Sequence, residues 1–285
     1  MSLLIGASSG LQGAAGASGG AGDLGDTINQ SLRFRGGQQL TRTIATDSAG
    51  TISTFSFWVK LGANDGSDQV IFSYGGSSYF RYNTSQSWTA YGGGAADCNW
   101  TGKARDYTAW YHIVMQGDGN GNSTNNKEWL NGREISTEFN SRDFPGITQS
   151  GGTFRIGDDT NGNNHFTGYL ADFICVNGSA VDPLNNFGKY NSDGVWVPVN
   201  YTGSYGSKGF RLIFDSSAGI GDDSSGNGND FTATGFEASD VAIYSSMLFT
   251  DNTTSSTASD INFNSTSTSW SSNTPPTGFN GNTAD

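Results

Sequence analysis

Residues 51–60 read TISTFSFWVK, and the alternation within this stretch decides the fold class. Phe55, Phe57 and Val59 fall on one face of an extended chain, because successive side chains of a β-strand point to opposite faces. The residues between them fall on the other face. This pattern predicts a half-buried strand, and it has the wrong period for an amphipathic helix.

The stretches on either side of this one carry the same kind of signal. Residues 111–115 (YHIVM) alternate in the same way, and residues 169–176 form an almost continuous apolar run. The pair Asn131-Gly132 separates two short strand-like runs, which is the strongest local signal for a β-hairpin. Short strands joined by Gly, Asn and Asp connections predict an antiparallel β-sandwich.

The composition agrees with an all-β protein. The 285 residues include 42 Gly and 18 Phe, and charged residues make up 14% of the chain, against about 25% in an average soluble domain. Only four residues are Glu, so good helix formers are scarce. The formal net charge of −12 argues against nucleic acid and anionic membranes as partners. We also find no apolar run that would insert into a membrane.

We divide the chain into three parts. Residues 1–26 form a Gly/Ala-rich arm, residues 27–250 hold the sandwich with a C-terminal elaboration, and residues 251–285 form an arm in which 22 of 35 residues are Ser, Thr or Asn. The first arm is either a flexible tether or a small-residue strip for homotrimer assembly. The trimer hypothesis rests on a period of three at Gly10, Gly13, Gly16, Gly19, Gly22 and Gly25.

Several segments in order resemble one family. They are SLRFRGGQQLTRT (31–43), TISTFSFWVK (51–60), QVIFSYGG (69–76), AWYHIVMQGDG (109–119), EWLNGREIS (128–136), FRIGDD (154–159) and FTGYLADFICVNG (166–178). Together they resemble the laminin-G-like, concanavalin A-like jelly-roll family. This resemblance implies an antiparallel jelly-roll β-sandwich.

The following segments narrow the resemblance. Residues 189–198 (KYNSDGVWVP) and 205–235 (YGSKGFRLIFDSSAGIGDDSSGNGNDFTATG) are similar to the version of this fold found in tailed-bacteriophage structural proteins of the tail-fibre type. The resemblance implies a virion protein that is assembled in the host cytoplasm, exposed on the particle and in contact with other virion proteins.

A catalytic role is not expected. Glycoside hydrolysis needs two carboxylates about 5 to 9.5 Å apart across the scissile bond. Glu134 and Glu138 share one strand face, but no Asp lies between them and they follow a hairpin, so we interpret them as a solvated edge. With only His112 and His165 available, a serine–histidine triad is not expected either. We predict that the protein is not an enzyme.

Three loops alternate Asp and Asn with a spacing that calcium ligands use. They are Asp118-x-Asn120-x-Asn122, Asp159-x-Asn161-x-Asn163 and the run from Asp222 to Asp230. Such residues also satisfy their own backbone in tight turns, so turn chemistry is the competing interpretation. No cofactor is required by any motif, and calcium is the one candidate. Its ligands in the third loop would be Asp222, Asp223, Asn227 and Asn229.

Sugar recognition would use exposed aromatic side chains. The Gly-rich stretch 85–102 is predicted to be one long mobile loop, and it presents Trp88, Tyr91 and Trp100 as candidates. Loop aromatics of such a protein are more often anchors at protein interfaces than platforms for a ligand. The other tryptophans at strand positions are expected in the core, as are the two cysteines, Cys98 and Cys175. A single disulfide between the two cysteines is the alternative, and it would require assembly in an oxidising compartment.

The sequence therefore favours a bacteriophage fibre or appendage subunit with a lectin-like domain that adsorbs to host-surface glycan. Repetition on a particle would strengthen weak individual binding. A capsid decoration protein without a ligand is the first alternative, and a free carbohydrate-binding module is the second.

Overall fold

The computed structural model describes residues 28–44, 52–62, 66–75, 78–92, 95–100, 103–118, 126–135, 137–139, 152–159 and 162–243. The Gly-rich arm with its six periodic glycines and the Ser/Thr/Asn-rich arm lie outside these ranges. The three-part division of the chain and the trimer therefore stay predictions.

The described residues form eighteen strands and one turn of 3-10 helix at Ala238–Asp240. In chain order the strands are β1 (Gln30–Arg35), β2 (Gln39–Thr43), β3 (Ile52–Leu61), β4 (Gln69–Tyr74), β5 (Ser78–Tyr82), β6 (Trp88–Gly92), β7 (Ala95–Trp100), β8 (Tyr111–Asp118), β9 (Lys127–Leu130), β10 (Arg133–Glu134), β11 (Thr137–Phe139), β12 (Thr153–Ile156), β13 (Thr167–Asn177), β14 (Gly188–Tyr190), β15 (Trp196–Pro198), β16 (Phe210–Leu212), β17 (Thr232–Thr234) and β18 (Val241–Ile243).

Two large antiparallel sheets make the sandwich. Sheet I has the order β10-β9-β8-β3-β13-β1-β18, with β16 also paired to β13. Sheet II has the order β11-β7-β6-β5-β4-β12-β2-β17. Strands β14 and β15 form a separate hairpin. This architecture confirms the all-β jelly-roll prediction.

The core between the sheets is largely aromatic. Phe55, Phe57 and Val59 of β3 are buried in it, as their alternation predicts. Phe57 stacks on Phe173 with ring centroids 5.0 Å apart, and Phe55 stacks on Phe72 at 4.9 Å. Stacked and edge-on rings of this kind add about 0.5–1.5 kcal/mol per pair beyond the area they bury. The aromatic residues of the sequence thus join the two sheets.

The outer face of sheet I is covered as well. The segment after β13 folds back over it and buries a second set of aromatic side chains, which includes the tryptophans predicted to be buried: Trp58, Trp110, Trp129 and Trp196. The indole of Trp196 lies against Gly132 of the predicted β9–β10 hairpin and Gly188 of β14, where a Cβ atom would overlap it. These glycines are needed for close approach.

The C-terminal strand closes sheet I beside the first one. Strand β18 pairs with β1, with Gln30 opposite Ile243. Arg35 donates two hydrogen bonds to the buried carboxylate of Asp240, at 2.8 and 2.9 Å. This bidentate pair holds the end of the described chain to its beginning. Among the described residues, there is no helix with the length and apolar character that crossing a bilayer requires.

Candidate functional site

A pair of tyrosines lies on the outer face of sheet II. Tyr79 of β5 and Tyr91 of β6 are directly opposite each other, and their rings stack 4.8 Å apart at an interplanar angle of 3°. The guanidinium carbon of Arg81 lies 5.2 Å from the Tyr79 ring centroid and 5.7 Å from that of Tyr91. All three side chains are half-buried. We call these three residues the Tyr–Arg cluster.

The Tyr–Arg cluster is fixed in place by a carboxylate. Asp68 forms an ion pair with Arg81, and its other oxygen accepts a hydrogen bond from the backbone N–H of Thr84 at 3.0 Å. Burial raises the pKa of Tyr79, although the positive charge of Arg81 opposes that shift. The phenol of Tyr79 therefore stays protonated at neutral pH and can both donate and accept a hydrogen bond.

The cluster continues into a row of residues that lie opposite one another across sheet II, of which Ser73 is buried and donates its hydroxyl to the carbonyl of Asp158 at 2.9 Å. Tyr79 lies opposite Ser73, which lies opposite Arg155, and Arg155 lies opposite Thr41. Because neighbouring strands are about 4.8 Å apart, the row from Tyr91 to β17 is about 24 Å long. At its far end is a polar cavity of about 360 Å³ lined by Thr41, Arg42, Thr43, Thr153, Gly228, Asp230 and Thr232.

The second Asp/Asn loop borders the same face. Asp159 contributes to the electrostatic environment of Tyr79, and its carboxylate accepts hydrogen bonds from the backbone of Asn163 and the side chain of Asn164. The neighbouring Asp158 is buried, which raises its pKa, and it lies 3.2 Å from a ring nitrogen of His165. Asn161 is outside the described residues, as are Asn120 and Asn122 of the first loop.

The structure separates the three predicted sugar-binding residues. The prediction of one mobile loop at 85–102 is wrong, because this stretch contains β6 and β7. Trp88 and Trp100 are 1% and 5% exposed and pack in the core against Phe80, so they offer no surface for sugar stacking. Tyr91 alone lies on the outer face. The missed partners, Tyr79 and Arg81, alternate with core residues in the sequence SYFRY of β5.

In the third loop, the carboxylate of Asp223 is surrounded by donors. One oxygen accepts hydrogen bonds from the backbone N–H groups of Arg211 and Ser225, both at 2.9 Å. The other accepts from the Ser225 hydroxyl at 2.8 Å and from the backbone N–H of Asn229 at 2.9 Å. These bonds fold the loop around Asp223 in the way that turn chemistry predicts.

The amides of this loop are also engaged. The side chain of Asn227 donates to the carbonyls of Gly206 and Gly209, and that of Asn229 donates to Ser207 and Gly209. Asp222 is exposed at the start of the loop. Within the described part of the chain, no group of three or more His, Cys, Asp or Glu residues could hold a metal. Calcium at Asp222 and its neighbours stays a prediction.

The other acidic and thiol side chains are placed as follows. Glu134 is exposed beside Lys127, with 3.9 Å between their charged atoms, and Glu128 is buried. The side chain of Glu138 lies outside the described part. Cys175 is a free, buried thiol whose pKa is raised well above its usual value by burial. The prediction that the protein is not an enzyme stays a prediction.

Comparison with known proteins gives one family match. The family model of the concanavalin A-like lectin/glucanases superfamily, of the Laminin_G_3 type, matches residues 34–180. A search of curated proteins finds no match to the chain.

Solved structures share the fold at low identity. A proposed carbohydrate-binding protein from Bacteroides ovatus is 13% identical with a TM-score of 0.55, over 76% of this chain and 60% of that one. A heptameric SAP-like pentraxin from Limulus polyphemus is 18% identical with a TM-score of 0.42, over 55% of this chain and 79% of that one. A Trypanosoma rangeli sialidase is 13% identical with a TM-score of 0.33, over 44% of this chain and 20% of that one. At 13% identity the likeness to the Bacteroides protein concerns the fold alone. The TM-scores of the pentraxin and the sialidase are below 0.5, so we infer nothing from these two structures.

Proposed function

Because this chain belongs to the concanavalin A-like lectin/glucanases superfamily, we propose that it binds carbohydrate on the outer face of sheet II and releases it unchanged. The observation that carries this proposal is the Tyr–Arg cluster. It combines two stacked phenol rings, a guanidinium and a carboxylate on one side of a sheet.

Each part of the cluster has a use in sugar binding. The tyrosine rings offer apolar surface for the C–H face of a pyranose, and a phenol hydroxyl can both donate and accept a hydrogen bond. Arg81 and Asp68 hold each other in a fixed geometry at the rim, so that donors and acceptors for sugar hydroxyls are preorganised. The pair is electrically neutral overall, which suits a neutral ligand.

The row of residues across sheet II supports an extended ligand. Beyond the buried Ser73, the half-buried residues Arg155 and Thr41 continue the row at the next two strands and end at the 360 Å³ cavity. The guanidinium of Arg155 and the hydroxyl of Thr41, on neighbouring strands about 4.8 Å apart, would contact further sugar units of the same chain. A polysaccharide or long oligosaccharide fits this row better than a single sugar.

We further propose that the protein is a bacteriophage fibre or appendage subunit at the virion surface, where it adsorbs to host-surface glycan. The similarity of residues 189–198 and 205–235 to tail-fibre-type virion proteins motivates this step. A homotrimer, repeated on a particle, would bind through many weak contacts at once. Capsid decoration without a ligand is the alternative, and a free carbohydrate-binding module is the second one.

A glycan array with the full chain tests the binding proposal. We expect selective binding to extended neutral glycans and at least a tenfold loss with Tyr91→Ala. The matched control is Tyr190→Ala, which removes a 45% exposed tyrosine from the opposite side of the sandwich and should leave binding unchanged. No binding by the wild type, or equal binding by both variants, would overturn the proposal.

A second experiment separates the adhesin from the decoration protein. Purified protein should block adsorption of its own phage to host cells, and the Tyr91→Ala variant should not. If the protein instead lies on the capsid in labelled virions and its removal weakens the capsid without affecting adsorption, the decoration alternative is correct.

A further inference from the structure

A cleft on the outer side of sheet I lies where two strands meet end to end. Strand β1 pairs with residues 167–170 of β13, and β16 pairs with residues 173–175 on the same edge. The register of β13 against β3 shifts between Ala171 and Ile174, so the strand bulges at this junction. Beside the bulge is a cavity of about 370 Å³, which is within the range of small-molecule sites.

The backbone on both sides of this cleft is strained. Asp172, within the bulge, has a φ of +45°, and Phe214, just after β16, has a φ of +58°. Left-handed φ values are uncommon for residues other than glycine, and for a bulky side chain such as Phe they are outliers. Strain of this kind persists when surrounding structure enforces it, and it concentrates at functional sites.

Charged side chains converge at the centre of the cleft. Nε of Arg211 donates to the carboxylate of Asp172 at 2.6 Å, and a terminal nitrogen of Arg211 donates to the side-chain oxygen of Asn200 at 2.8 Å. The side chain of Asp172 is 9% exposed and that of Arg211 is 18% exposed. A buried ion pair gains little net stability because both charges lose water, so stability alone is a weak reason for placing one here.

The other residues that line the cleft determine the sign of its net charge. Asp215 is held ionised, because hydrogen bonds from Ser217 lower its pKa, and the Asp172–Arg211 pair is neutral overall. The cleft therefore carries a net negative charge, which disfavours anionic ligands. Gln30 also lines it, with a buried side-chain oxygen that accepts no hydrogen bond from the described residues. Buried acceptors without a donor are rare in native structures.

From this arrangement we infer a binding site for one neutral sugar unit in the cleft between β1 and β16. Hydroxyl groups both donate and accept, so they match a lining that mixes carboxylate, guanidinium and amide groups. Ile28 and Ile213 supply an apolar wall for the C–H surface of the ring. The site is on the opposite sheet from the Tyr–Arg cluster and does not depend on it.

The test uses the full chain with the first site disabled by Tyr79→Ala and Tyr91→Ala together. The probes are the methyl glycosides of glucose, galactose, mannose and N-acetylglucosamine. Their binding is measured by saturation-transfer NMR and calorimetry. We expect at least one of them to bind this variant with one site per chain. N-acetylneuraminic acid, which is anionic, should not bind.

Two further substitutions in that background locate the binding. Ile213→Trp should fill the cleft and abolish binding, and Asn200→Ala should weaken it about tenfold by releasing Arg211. Ser216→Trp, at an exposed neighbouring position outside the lining, is the control and should leave binding unchanged. If Ile213→Trp fails to fold, the glycoside affinity of the Asn200→Ala variant, which changes an exposed residue, locates the binding instead. Absence of glycoside binding, binding that neither substitution affects, or a preference for the acidic sugar would overturn the inference.

Discussion

The indole Nε1 of Trp196 donates a hydrogen bond to Nδ1 of His112 at 2.9 Å, in the buried space between sheet I and the β14–β15 hairpin. Because Nδ1 is the acceptor, the proton of a neutral His112 is on Nε2. Nε2 therefore donates a hydrogen bond to the hydroxyl oxygen of Ser56, also at 2.9 Å. The imidazole further stacks on Trp58 with 4.5 Å between ring centroids. Burial lowers the pKa of His112 to about 3.

This pKa predicts acid sensitivity. The unfolded chain binds a proton at His112 with a pKa near 6.5, whereas the folded chain does so only near 3, so the unfolded state takes up more protons between these values. Stability should therefore fall as the pH drops below about 6.5, by about 3 kcal/mol at pH 4 from this residue.

Denaturant unfolding at pH 7 and pH 4 measures the effect. The His112→Gln variant is less stable than the wild type at pH 7, but it lacks the titrating imidazole. Its free energy of unfolding should therefore fall by about 3 kcal/mol less than that of the wild type between pH 7 and pH 4. An equal loss in both proteins would show that His112 does not cause the acid sensitivity.

Gly188→Ala should loosen the hairpin that covers sheet I. An added Cβ would overlap the Trp196 indole, and overpacking of this kind costs about 1–3 kcal/mol. Thermal unfolding should show a lower Tm, and near-ultraviolet circular dichroism should show a changed tryptophan environment. Ser192→Ala, at an exposed position in the same hairpin, is the control and should change stability by less than about 0.5 kcal/mol.

Local patterns predicted the fold because they determine which face of a strand is buried. The alternation at Phe55, Phe57 and Val59 placed these side chains in the core, and the Asn131-Gly132 pair formed its hairpin with φ values of +50° and +76°. In both cases the information lies within a few neighbouring residues, and the tertiary contacts favour the same local structure.

The parts that were missed depend on contacts between distant segments. Strand β7 forms among alanine and polar residues because β6 pairs with it, whereas the Trp, Thr and Tyr residues of β6 did carry a local strand signal. Trp196 and His112 are 84 residues apart, so their hydrogen bond has no local signature. Tyr79 and Arg81 did carry a signal, since they alternate with the core residues Phe80 and Tyr82 in β5.

Asp223→Ala should destabilise the loop that follows β16. The substitution leaves three backbone N–H groups and one hydroxyl without their acceptor, which we expect to cost about 2–3 kcal/mol in free energy of unfolding. Asp222→Ala, at the exposed neighbouring carboxylate, should have a much smaller effect. Equal effects of the two substitutions would contradict this account of the loop.

The same two variants test calcium. An ion that binds only the folded state raises Tm as its concentration increases. The predicted calcium site would raise the Tm of the wild type as calcium is added, whereas a loop held only by the four hydrogen bonds to Asp223 would have the same Tm in calcium and in chelator. A rise with calcium that disappears in Asp222→Ala would instead establish the ion site.

Assembly is tested by removing the Gly-rich arm. If the period of three from Gly10 to Gly25 brings chains together, the full chain should sediment as a trimer and a chain that begins at residue 27 as a monomer. The removal of residues 251–285 serves as the control. A full chain that is already monomeric at micromolar concentration would rule out the trimer.

The pairing of β1 with β13 and β18 has a consequence for synthesis in the cell. Arg35 and Asp240 are 205 residues apart, and both strands that flank β1 are made long after it. At about 5–20 residues per second, Leu32 and Phe34 would wait on the order of ten seconds for their neighbours to leave the ribosome. During that interval a strand with two large apolar side chains has two unpaired edges, so the nascent chain should depend on chaperones more than the folded protein's compact core suggests.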